Sequence, residues 1–268
     1  MTVRFWEAPL RNLRWAAVVC AALAVLVFLN ALANDFAYDD NFVIFGNTAI
    51  QSFETLPQAL AEPYWPGLYG HGKGLWRPVV TALFGSEWVL FNGNPMGFHI
   101  VNVLLHAGAT ALVVLLLGEI LPVVAALIGG LLFAVHPVHV EAVANVVGVA
   151  EVLSTVLFLL ACILIIRSPH RMGPGRTTAV LVLYLLAFLT KESAVTLPGV
   201  VLLLDSSRGE LGVRDLGSYL ARRWSLYLGM ALVAGLVLVG RSVVLGNVAN
   251  PFSPLGAALL LEVPRIWT

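Results

Sequence analysis

The sequence predicts an all-α membrane protein, a polytopic helix bundle of about seven spans. Three observations carry that expectation. Of its 268 residues, 59% are hydrophobic and 11% charged, against about 45–50% and about 25% in an ordinary soluble domain. The apolar residues gather in long runs. A run of roughly 20 crosses about 30 Å of hydrocarbon as a helix, which satisfies its own backbone where lipid offers no partner. Finally, basic and acidic residues separate into alternate connecting loops.

The first run covers residues 15–33, the second 97–117, and a shorter third 121–135. A fourth covers 150–166, a fifth 177–190, a sixth about 192–205 and a seventh 224–245. Residues 34–96 form one long outward loop, in which the amphipathic stretch Thr55 to Ala61 suits a short helix on the membrane surface. Basic residues accumulate in cytoplasmic loops. With the N-terminus inside, ten of the fifteen basic residues, among them Arg4, Arg167, Arg176 and Arg223, fall on the cytoplasmic side, and ten of the fifteen acidic ones fall outside. Ala31-Leu32-Ala33 has the small-x-small pattern of a signal-peptidase site, but the apolar region exceeds a signal core, so a retained first helix is expected. No internal repeat or second soluble domain is visible, and residues 1–268 read as one membrane domain.

Fifteen Lys and Arg against fifteen Asp and Glu give zero formal charge, so no basic face is available to nucleic acid. Cys20 and Cys162 each lie inside an apolar run, without the spacing of a disulfide framework or a zinc cluster. From Gly67 to Lys73 the chain matches most of a phosphate loop, but Gly74 stands where Ser or Thr would hold magnesium and no strand precedes it. Nucleotide binding is rejected.

The candidates for chemistry cluster on the outward side. Asp39 and Asp40 are adjacent carboxylates just beyond the first span, where burial and mutual repulsion raise at least one pKa towards the range of a general base. Lys73 and Arg77 are natural partners for a lipid phosphate, since a guanidinium grips phosphate with two hydrogen bonds. His99, Asn102 and His106 share one face of the second span, as in a lined cavity. His136, His139, Glu141 and Glu151 follow the third span, and Lys191 and Glu192 follow the fifth. The offsets of His136, His139 and Glu141 match no metal motif, so a divalent metal is possible but not favoured, and no other cofactor is implied. Two functions fit these residues: an enzyme with an outward-facing cavity, or a proton- or cation-coupled transporter.

Five blocks narrow that choice: Tyr38-Asp39-Asp40-Asn41-Phe42-Val43-Ile44, Trp76-Arg77-Pro78, Gly97-Phe98-His99-Ile100-Val101-Asn102-Val103-Leu104-Leu105-His106, Phe133-Ala134-Val135-His136-Pro137-Val138-His139-Val140-Glu141-Ala142-Val143-Ala144 and Lys191-Glu192-Ser193-Ala194-Val195-Thr196-Leu197-Pro198. In this order they resemble the transmembrane and tetratricopeptide-repeat-containing O-mannosyltransferases and their bacterial relatives. The resemblance implies a GT-C glycosyltransferase that moves mannose, with inversion, from a polyprenyl-phosphate donor to a Ser or Thr hydroxyl of a protein or peptide outside the cytoplasm. It also implies an Asp base in the first outward loop, which by position is Asp39 or Asp40. Asp39 is assigned the base and Asp40 the task of orienting it or the acceptor. Arg77 and Lys191 are assigned to the phosphate, with His99, His136, His139 and Glu141 around the sugar. Val149 departs from the family, which usually has Arg there. The resemblance further implies that the chain is the membrane part of a longer protein. Its Ala-, Val-, Leu- and Arg-rich usage suggests a bacterial plasma membrane.

Overall fold

A computed structural model describes residues 10–67, 74–168, 172–207 and 216–246. Helix α1 (Leu10–Phe28) continues through a 3-10 turn, Leu29–Ala33. After the single turn α2 (Leu56–Ala59) come α3 (Pro78–Phe91), α4 (Pro95–Leu117) and α5 (Val123–Val135). Then follow α6 (Val140–Ala144), α7 (Val149–Ile166), α8 (Pro174–Thr190), α9 (Leu197–Ser207) and α10 (Leu216–Leu245). Prolines open α3, α4 and α8, positions where a missing N–H leaves no helical bond unmade. Asn92, in the left-handed region at φ 51°, ends α3, and the Asn94 side chain accepts from Met96 N to start α4.

Small residues let the helices approach. Ala16, Ala17, Cys20 and Ala24 of α1 are buried where α1 packs on α4 and α5. A Cβ on Gly130 of α5 would lie 2.2 Å from Val114 Cγ2 and 2.9 Å from Cys20 Sγ. Without water to drive association, such close backbone contact is what holds spans together. From this group the packing continues α4 on α7, α7 on α8, and α8 on α10. A separate apolar cluster caps one end: Ile44, Ile50, Tyr64 and Trp65 of the first loop pack with Val80 and Phe84 of α3, Phe98 of α4, and Val146 and Val149.

The all-α bundle is as expected, and the described residues hold fewer full-length spans than the seven read from hydropathy. Among the described residues four helical stretches are long and apolar enough to cross a membrane: 12–33, 95–117, 146–166 and 217–245. The pair Val123–Val135 and Pro137–Ala144, bent by 46°, makes a fifth if it is one broken span. Pro137 bends it, as its missing N–H and its ring interrupt a helix. The expected sixth span, 192–205, opens with a 3-10 turn at Glu192–Thr196, leaving α9 with 11 residues, or about 16 Å. The expected loop of residues 34–96 holds an apolar helix of 14 residues, α3.

Candidate active site

The two acidic neighbours face opposite ways. Tyr38 adopts φ 46°, a left-handed conformation that costs a bulky residue roughly 1–2 kcal/mol. Beyond this turn Asp40 is fully buried. Its Oδ2 accepts from Ala37 N at 3.0 Å, and its Oδ1 accepts from Val147 N at 2.9 Å, 107 residues away. Burial pushes the Asp40 carboxyl above the usual carboxylate range, against the opposing pull of the Ala37, Val147 and Val146 amides and of His99. The raised pKa expected of this pair is thus found, but on a carboxyl already occupied at both oxygens. Asp39 is exposed, and its carbonyl accepts from Phe42 N and Val43 N, starting the π-type turn Asn41–Phe45.

Asp39 opens on a cavity of about 530 Å³, walled by Arg77, His139, Glu141, Asn145, Glu151 and Thr155 among others. Four separate segments therefore meet there. Arg77 lies over the Tyr64 ring, 5.4 Å from its centre, and its NH2 group binds Glu192 Oε2 at 3.0 Å. Arg241 of α10 binds the other oxygen of Glu192 at 3.1 Å and also donates to the Gly74 carbonyl. Burial works to raise the Glu192 carboxyl, but Arg77 and Arg241 prevail and hold it below the usual range. Lys191 pairs with Glu151 on the cavity wall. Two buried polar atoms of wall residues lack a partner: Arg77 Nε, a donor, and Asn145 Oδ1, an acceptor. An anion suits the first and a hydroxyl the second.

Other candidates act from behind. Asn102, buried in α4, donates to the carbonyls of Val143, Asn145 and Val146. It thereby fixes the turn whose Val147 N–H holds Asp40, and it does not line the cavity. His99 is likewise buried off the cavity wall, under the loop that carries Asp40. His106 contacts the Ala134 carbonyl at 3.3 Å and stacks on Phe133. With His139, Glu151 and Thr155 it lines a recess of about 90 Å³. His136 is exposed, and its Nδ1 accepts from Val138 N. His99, Asn102 and His136 thus stand off the wall of this cavity: His99 and Asn102 are buried within the bundle, and His136 is exposed beside Pro137. Lys73 lies outside the described residues. Val149 is buried in the apolar cap. Among the described residues no three His, Cys, Asp or Glu side chains are grouped to hold a metal ion.

Arg241 went unnoticed in the sequence, although a charge within an apolar run of this length is costly enough to mark a partner. Helical spacing puts Asn145 on the face of Glu141, but its unpaired acceptor beside the cavity depends on the bend after α6.

Comparison with known proteins supplies independent findings. The chain is 38% identical over 180 residues to protein O-mannosyl-transferase Tmtc1 of Drosophila melanogaster, covering 66% of this chain and 21% of that protein. It is 32% identical to Tmtc2 of the same fly over 271 aligned positions, 96% of this chain and 28% of the relative. To human TMTC4 it is 32% identical over 215 positions, 71% and 29% of the two chains. The chain thus spans under a third of the length of these relatives. No family model and no solved structure matches it. The likeness first carried by the five sequence blocks is established by these alignments.

Proposed function

From a chain that is a relative of the Tmtc protein O-mannosyl-transferases, we propose an inverting transfer of mannose from a polyprenyl-phosphate donor to a Ser or Thr hydroxyl. Asp39 removes the hydroxyl proton as the oxygen attacks the anomeric carbon. The bond from that carbon to the phosphate oxygen breaks, and the polyprenyl phosphate leaves with the electron pair. The negative charge that grows on the phosphate is met by the Arg77 guanidinium, whose buried Nε–H has no partner among the described residues, and by Lys191. Such preorganised donors stabilise charge more in a dry site than in water. Asn145 Oδ1 accepts from a sugar hydroxyl, and Glu192 and Arg241 keep the Arg77 guanidinium in place.

The observation that carries this reading is the shared cavity: an exposed carboxylate and a guanidinium with a buried, unfilled donor line one hollow at one end of an apolar bundle. The charge distribution of the loops favours placing that end outside the cytoplasm. A transporter has less support, since His99 and Asn102 are packed off the cavity wall. The test is incubation of the complete protein with polyprenyl-phosphate mannose and a Ser/Thr peptide, followed by mass spectrometry and assignment of the product anomer. Labelled peptide of inverted anomeric configuration is expected. A retained configuration, or a donor left unconsumed, overturns the reading.

A further inference from the structure

Asp39 belongs to two hollows. The second, of about 540 Å³, is walled by Asn41, Phe42, Gly46, Trp65 and Gly67. A third hollow, of about 550 Å³, shares Trp65 and Gly67 with it and runs on to Glu62. We propose that the second and third hollows form the acceptor cleft, a trough for an extended polypeptide segment whose hydroxyl reaches Asp39 from the side opposite the donor phosphate. This rests on the transferase reading above.

Three observations carry it. The first is charge. None of the described residues lining the second or third hollow is basic, whereas the first has Arg77 on its wall and Lys191 paired to Glu151. A phosphate therefore belongs in the first hollow and has no counter-charge among the described walls of the second. The second is the direction of attack. Inversion requires the nucleophile to approach the anomeric carbon on the face away from the leaving oxygen. With the phosphate at Arg77, the acceptor comes from the other side of Asp39, where the second hollow lies.

The third is the chemistry of the walls. Phe42 is 58% exposed, and Trp65, mostly buried, lines the same hollow. Aromatic faces cover large area at little entropic cost and tolerate varied side chains. The Asn41 amide has both a donor and an acceptor for a peptide backbone. The third hollow prolongs the trough, as a chain advancing about 3.3 Å per residue requires. Asp39, Asn41 and Phe42 are also tied together, because the Asp39 carbonyl closes the turn that carries the other two. Gly46 lets this turn close: a Cβ there would lie 2.9 Å from the Asn41 carbonyl oxygen.

The test uses the full-length protein in lipid nanodiscs with a short Ser/Thr-rich peptide as probe. A photo-crosslinking p-benzoylphenylalanine is placed at position 42, or in a second preparation at position 138 on the wall of the first cavity. Capture of the peptide at 42 and not at 138 is expected, and Phe42→Ala raises the KM for peptide about tenfold without moving the KM for donor. Capture at 138, capture at neither position, or an unchanged peptide KM overturns the cleft. Crosslinking needs no turnover, so an enzyme that consumes no donor defeats the transferase reading separately while the crosslink still decides where peptide binds.

Discussion

The two ends of the bundle each hold a carboxylate bound by arginine, and they are built to opposite purposes. At one end Asp205 of α9 is fully buried. Its Oδ1 accepts from Arg223 at 3.0 Å and its Oδ2 from the Tyr219 hydroxyl at 2.7 Å, with Tyr227 a further 3.0 Å beyond. At the other end Glu192 is held by Arg77 and Arg241, but the network borders a cavity and leaves Arg77 Nε without a partner. One helix, α10, carries both Arg223 and Arg241. Their separation along it is about 27 Å, close to the hydrocarbon thickness of about 30 Å. A buried carboxylate with both oxygens taken fastens helices together. The same pairing beside a cavity, with a donor left over, is arranged to receive something.

The strongest way to break this contrast is at the cavity. Asp39→Asn is expected to lower the rate of transfer by about 10²–10⁴-fold with an unchanged Tm, because Asp39 is exposed. Asp205→Ala should do the reverse. Removing one partner of a buried pair leaves a stranded charge and costs about 3–5 kcal/mol, read as a lower Tm with the donor KM unchanged in the fraction that folds. A large rate loss at Asp205 with intact stability would erase the distinction between the two ends.

The next effect separates the arginines at the cavity. Arg77→Gln removes a charged donor to the phosphate and should raise the donor KM about tenfold to a hundredfold. Arg241→Lys keeps the charge but loses the two-point hold on Glu192 and the Gly74 carbonyl. Its effect on donor KM is expected to be smaller than that of Arg77→Gln, and the two should combine non-additively in a double-mutant cycle.

Which of these roles the sequence could disclose depended on distance along the chain. The apolar runs, the acidic pair and the five blocks are local, and each is legible. The division of labour between Asp39 and Asp40 is not local. It rests on a left-handed Tyr38 and on an amide at Val147, held in turn by Asn102 on a third segment. Helical spacing put His99, Asn102 and His106 on one face correctly, but a polar stripe inside a bundle serves backbone carbonyls as readily as a cavity. The lengths of the spans escape the sequence for a related reason. Hydropathy sums apolar residues and does not register that Pro137 bends a helix or that Lys191 and Glu192 are drawn into ion pairs at the cavity end.

The buried carboxyls also predict opposite responses to pH. The Asp40 carboxyl is raised in the fold, so the stability it contributes is present below its unfolded value of about 3.9 and is lost as pH rises through the higher folded value. The Glu192 carboxyl is lowered, so its contribution is present above about 4.3 and is lost as pH falls through the folded value. Thermal scans from about pH 3 to about pH 7 should show the wild-type advantage over Asp40→Asn shrinking with rising pH and that over Glu192→Gln growing. Slopes of the same sign would mean that the two carboxyls do not sit in the opposed settings described.

The smallest effect concerns strain. The two non-glycine residues with positive φ among those described, Tyr38 and Asn92, both lie at the cavity end. Tyr38 is 85% exposed, so its side chain has little packing to lose. Tyr38→Gly removes a left-handed penalty of about 1–2 kcal/mol and adds an entropic cost of about 0.5–1 kcal/mol in the unfolded chain. Stability should therefore hold or rise slightly. Activity should fall, because glycine frees the turn that turns Asp39 out and Asp40 in. Tyr38→Val, β-branched and ill-suited to φ 46°, should lower Tm instead. A glycine variant that is both more stable and fully active would show that the turn needs no rigidity to present Asp39, and the strain would then be a consequence of the Asp40 anchor alone.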